Sequence, residues 1–130
     1  MIKIAQSLRE LSDSIVYLNI NCGGNNYSTE FQTYAEGWSS LDKSLAHLRG
    51  KLGKGRYAQL VDMAVQAKAH YDAGYAKGPK PGLRPQPGEP GSDQIKLGSW
   101  LMQDMEQVVK GKSPFAYPEE LYRWSKDQNA

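Results

Sequence analysis

Apolar positions recur along this chain at helical spacing. Phe31, Tyr34, Trp38, Leu41, Leu45, Leu48 and Leu52 step by three and four residues in turn, as they do on a helix that buries one seam. Ser28 or Thr29 is placed to cap this helix with Glu30 in its first turn, and Gly50, Gly53 and Gly55 to end it. The segment before it reads as a helix over about residues 2–20, with Ile4, Leu8, Leu11, Ile15, Leu18 and Cys22 forming one stripe. Val16, Leu18, Ile20 and Cys22 also alternate with polar or aromatic neighbours, so a short N-terminal strand is the alternative.

A third helix is predicted from Lys54 to Ala76, with Tyr57, Leu60, Val61, Ala64, Tyr71 and Tyr75 inward and Gln59, Asp62, Gln66 and His70 outward. Its alanines permit close approach of a neighbour. Residues 78–91 hold five of the seven prolines and four glycines, which excludes helix and sheet ladder alike. Ser92 or Asp93 then caps a fourth helix carrying Leu97, Leu101, Met105 and Val108, stopped by Gly111. Pro118, Glu119 and Glu120 open a short last helix with Leu121 and Trp124. The expected fold is therefore all-α: a single domain over 1–130, an antiparallel bundle of four to five helices with the Pro/Gly-rich stretch as its one long connection.

Composition changes this picture in one respect. Leu, Ile, Val and Phe account for only 24 of 130 residues, so 8 Tyr and 3 Trp must supply much of the buried area. The net charge of +2 conceals a partition: residues 1–48 carry 3 basic and 5 acidic groups, 49–84 carry 8 and 2, and 85–130 carry 5 and 7. Arg49, Lys51, Lys54 and Arg56 precede the third helix, while Lys77, Lys80 and Arg84 follow it. A helix of that length spans about 33 Å, so the two basic clusters lie at opposite poles.

Cys22 is the only cysteine, which leaves no disulfide framework and no thiolate pair for zinc. The N-terminus carries Arg9, Glu10 and Asp13 where a secretion signal has an apolar core, and no apolar run approaches the length of a bilayer span. A cytoplasmic location without membrane contact is the expectation. The sequon at Asn26-Tyr27-Ser28 then has no secretory route to make it meaningful.

Residues 50–57, GKLGKGRY, have the spacing of a phosphate-binding glycine loop, but Arg56 and Tyr57 stand where Lys and Ser or Thr are required, and no strand precedes them. Nucleotide hydrolysis is excluded there. A glycine turn at a helix start beside four cations still suits an anion, so Arg49, Lys51, Lys54, Arg56 and Tyr57 are the candidate contacts for a nucleotide-like molecule or nucleic acid, while Lys80 and Arg84, at the other pole, are candidate contacts for a ligand or partner. Arg84-Pro85-Gln86-Pro87-Gly88-Glu89-Pro90 fits a polyproline II ligand and equally a semi-rigid connector. Ser40-x-x-Lys43 lacks the companion motifs of penicillin-recognising enzymes, and His47 and His70 show no metal-ligand spacing. Tyr57, Tyr71 and Tyr75 interleave with cations as in base-stacking surfaces, yet they share the inward stripe.

These patterns predict a non-catalytic binding protein with no cofactor and no metal. It is expected to act through protein–protein contacts, self-associating or as an accessory or inhibitory protein, with Trp100 and Trp124 among the large side chains offered to a partner. The alternative is binding of an anionic ligand at the 49–56 turn.

Overall fold

The computed structural model describes residues 4–21, 34–79 and 85–112. Their secondary structure is helical: α1 (Leu8–Asn21), α2 (Tyr34–His47), α3 (Arg49–Leu52), α4 (Lys54–Lys77) and α5 (Ser92–Val109). Among the described residues no strand is present, and residues 16–21 lie inside α1 rather than in the alternative strand. The predicted cap at Ser28 or Thr29, Phe31, Cys22 and the short C-terminal helix with Trp124 lie outside the described residues.

The bundle runs up, down, up, down. Ala5 N–H donates to Ser44 Oγ at 2.9 Å, which sets the start of α1 beside the end of α2. Tyr34 at the start of α2 meets Tyr75 near the end of α4, with ring centroids 5.8 Å apart. Arg56 at the start of α4 reaches the Val109 carbonyl at the end of α5. Each long helix packs on the next, and α1 closes the ring against α5. Tyr71 of α4 crosses the ring on its diagonal, its hydroxyl donating to Asn19 Oδ1 of α1 at 2.6 Å.

The seam that the sequence shows is the seam that packs. Trp38, Leu41, Leu45, Leu48 and Leu52 are buried, as are Leu11, Ile15 and Leu18 of α1 and Leu97, Leu101, Met105 and Val108 of α5. Each such Leu contributes about 1.5–3 kcal/mol by leaving water. One expected helix is nevertheless two. The chain turns at Leu48, makes the single turn of α3, and breaks at Gly53, whose φ of 83° favours a residue without a Cβ. Gly50 lies inside α3 and ends nothing.

Three boundaries depart from expectation for local reasons. The first helix starts at Leu8, not residue 2, because Ser7 caps it: the Glu10 N–H donates to Ser7 Oγ at 3.1 Å, and the Glu10 carboxylate accepts the Gln6 N–H at 2.6 Å. This is close to a capping box, displaced by one residue on its return bond. Ile4 is left exposed ahead of the helix. The N-cap of α5 is Gly91, at φ 91°, and neither Ser92 nor Asp93 supplies a side-chain cap. Val61 points outward rather than inward, since it lies 100° around the helix from buried Leu60.

The α4–α5 contact is the most extensive of the bundle, and glycines set its closeness. A Cβ on Gly98 would stand 2.9 Å from two ring carbons of Tyr71, and one on Gly74 would stand 2.6 Å from Ile95 Cδ1. Ala64 and Ala67 are buried along the same contact. Small residues on one helix thus receive large ones from the other, which fixes their register.

Candidate functional site

The basic turn is built by the break at Gly53, which starts α4 immediately after α3. Its cations divide into two kinds. Arg56 is committed to the chain itself: Nε donates to the Leu52 carbonyl at 2.7 Å, Nη2 to the Lys51 carbonyl at 3.1 Å and Nη1 to the Val109 carbonyl at 3.2 Å. One guanidinium therefore satisfies carbonyls at the C-terminal ends of both α3 and α5, where a positive charge is also favoured by the helix dipole. Arg49 lies over the Tyr57 ring, 5.7 Å from its centroid, and Tyr57 itself is half-buried against the core. Lys51 and Lys54 are exposed. Lys80 and Arg84 lie outside the described residues.

Arg56→Ala is expected to act on stability. Loss of three charge-assisted bonds to carbonyls should cost about 2–3 kcal/mol, read as a lower melting temperature in circular dichroism. A ligand-binding Arg56 would instead leave the melting temperature of the free protein unchanged and abolish any stabilisation by phosphate compounds.

At the opposite pole an aromatic corner joins α2 to α4. Tyr34 packs edge-on to Trp38 and to Tyr75, and Trp38 packs against Tyr71 with centroids 6.0 Å apart. The Tyr34 hydroxyl donates to Asp72 Oδ1, and Lys68 Nζ donates to Asp72 Oδ2 at 2.9 Å. Lys68 also lies 5.9 Å from the Tyr34 ring centroid. Partial burial raises the Asp42 carboxyl above its usual 3.8, an effect opposed by the charge of Lys68. Trp38 Nε1 is buried and meets no acceptor among the described residues. His70 is not a free surface residue as its place on the polar face implied: Nδ1 lies 2.8 Å from Oε1 of buried Gln94.

Several of the large side chains are internal. Trp38, Met102 and Met105 belong to the buried core. Trp100 is half-buried, with Lys96 Nζ 5.9 Å from its ring centroid. Trp124 lies outside the described residues.

The surface that stands out is one the sequence pattern concealed. On the outer face of α4, Ala58, Val61, Val65 and Ala69 are all exposed, Val65 by 64% and Val61 by 37%. Lys54 and Asp72 extend this line at either end, and both are exposed. The six positions advance by four, three, four, four and three residues, so they return to one side of the helix each turn. Lys54 and Asp72 are 18 residues apart, five full turns or about 27 Å along the axis. The helix therefore carries apolar residues on two opposite faces, only one of which the bundle buries. A second exposed pair, Val16 and Ile20, lies on α1.

No family model, curated protein or solved structure matches this chain. Among the described residues, no group of three or more His, Cys, Asp or Glu is placed to hold a metal ion. No described helix is long and apolar enough to cross a membrane.

Proposed function

We propose that this is a cytoplasmic protein that works by binding, with no chemistry of its own, and that it contacts another polypeptide through the outer face of α4. The observation that carries the reading is the line Ala58, Val61, Val65 and Ala69, exposed in the middle of the bundle's longest helix. An isolated exposed valine needs no explanation, but a contiguous apolar stripe rimmed by charge marks interaction surfaces. Commitment of Arg56 to the carbonyls of α3 and α5 supports the protein-contact reading over an anion site in the basic turn. An accessory or inhibitory role is the kind of activity such a surface serves.

A photo-activated cross-linking residue at position 65 tests this. In extract of the native host, position 65 should give adducts of discrete mass, while position 86, in the exposed turn that precedes α5, should give none. Absence of any adduct from position 65 would refute the reading.

A further inference from the structure

The order of residues along the α4 stripe says more than its apolarity. From the N-terminal end it runs Lys54, Ala58, Val61, Val65, Ala69, Asp72. Reversed, the apolar part is again Ala, Val, Val, Ala, and the charges exchange sign end for end. A surface that is its own complement on reversal is what a two-fold contact requires, because each residue i meets j while j meets i.

Building on the protein-binding reading, we propose that α4 pairs with α4 of a second copy of this chain, antiparallel, about a two-fold axis beside residue 63. One register satisfies both the apolar and the charged positions. Setting Val61 against Val65 of the second copy also sets Lys54 against Asp72 of the second copy, twice over. The alanines at 58 and 69 fall within one residue of facing each other and let the two backbones come close.

Lys54 is available for this, whereas Asp72 already shares its charge with Lys68 and offers the second copy only its exposed side. Lys54 is exposed and has no ion pair among the described residues. Asp72 is held in place by Tyr34 and Lys68 while its side chain remains 47% exposed. A parallel arrangement in register would set Lys54 on Lys54 and Asp72 on Asp72, and is disfavoured. Asp62 flanks the stripe near the axis, its carboxylate turned aside onto Gln66 Nε2 at 2.7 Å. In the pair it lies close to its own copy, so it opposes association. Two valines and two alanines per copy form a contact well below the ~800 Å² per partner of a standard interface. The dimer is accordingly a weak one, forming in the range of about 10 μM to 1 mM.

Sedimentation equilibrium of the purified chain across that range, at low salt, is the test. A monomer–dimer equilibrium is expected, abolished by Val65→Lys and weakened by added salt. Lys54→Glu should weaken it about tenfold by replacing two attractions with two repulsions. Adding Asp72→Asn to Lys54→Glu should recover part of that loss, since the repulsion goes while Tyr34 keeps an oxygen acceptor. Asp62→Asn should tighten the dimer. A single species of 14.5 kDa at every concentration, or a dimer indifferent to Val65→Lys and Lys54→Glu, would overturn the proposal. So would a double variant no tighter than Lys54→Glu alone. If position 65 cross-links only to a different protein and the purified chain stays monomeric, the self-pairing fails while the protein-binding reading survives.

Discussion

Gly91→Ala should lower the melting temperature by more than about 10 °C, the largest effect expected of any single methyl group in this chain. Two costs add at this position. The residue sits at φ 91°, where an L side chain is strained by about 1–3 kcal/mol. Its Cβ would also stand 2.2 Å from the Gly74 carbonyl oxygen, a backbone atom of the facing helix. Relieving that overlap means moving α4 and the start of α5 apart, a disruption that costs about 1–3 kcal/mol or more. Gly91 also accepts the first N–H groups of α5, from Gln94 and Ile95 at 3.1 and 3.2 Å, so its displacement loosens the helix start. Gly88→Ala is the control. It shares the positive φ, at 90°, but a Cβ there meets nothing within 4 Å. Thermal unfolding by circular dichroism should show Gly88→Ala losing only the strain. Equal losses from the two variants would mean that the Gly74–Gly91 contact is not closed.

The second large effect belongs to Tyr71, which is fully buried where α4 meets three other helices. Its ring covers Gly98 of α5 and packs against Trp38 of α2, while its hydroxyl reaches Asn19 of α1. Tyr71→Ala should cost about 3–5 kcal/mol, because a packed core collapses only in part into the space an aromatic ring leaves. Tyr71→Phe keeps the ring over Gly98 and loses the hydroxyl's bond to Asn19 across the bundle, for about 1 kcal/mol. Urea denaturation with both variants separates the two contributions. If Phe proved as damaging as Ala, the hydroxyl rather than the ring would be what holds α1 to α4.

Both residues show where reading the sequence succeeds and where it stops. Tyr71 falls on a stripe of helical period and was legible as core from its spacing alone. The same holds for the α2 seam from Trp38 to Leu48 and for Leu97, Leu101 and Met105 of α5. Gly74 and Gly98 were not legible. A glycine within a helical pattern looks like a local weakness, and its value appears only when another helix lies on it. The Ser7 and Glu10 pair that starts α1 was present in the sequence as Ser-Leu-Arg-Glu, but a hydrophobic stripe continuing back to Ile4 outweighed it.

The candidate site was harder to read for a different reason. Periodicity identifies a helix with one apolar face, whereas α4 has two, and the apolar pair Leu60–Val61 places both residues on the predicted inner stripe although Val61 is exposed. The sequence shows Arg56 as a candidate anion contact and hides its partners, which are backbone carbonyls. One of these, at Val109, is 53 residues away in the chain. Main-chain acceptors carry no signature in residue type, so only the placement of α5 reveals them.

The interlocking of α4 with α5 bears on the connection between them. Gly74 accepts Gly91 and Ile95, and Gly98 accepts Tyr71, so a slide of either helix by one turn would drive rings and methyl groups into backbone. Alignment is therefore keyed within the helices themselves. The length of the connection between them need not set it, and insertions that leave buried Pro85 and the Gln86–Glu89 turn intact should be tolerated without resetting how the two helices meet.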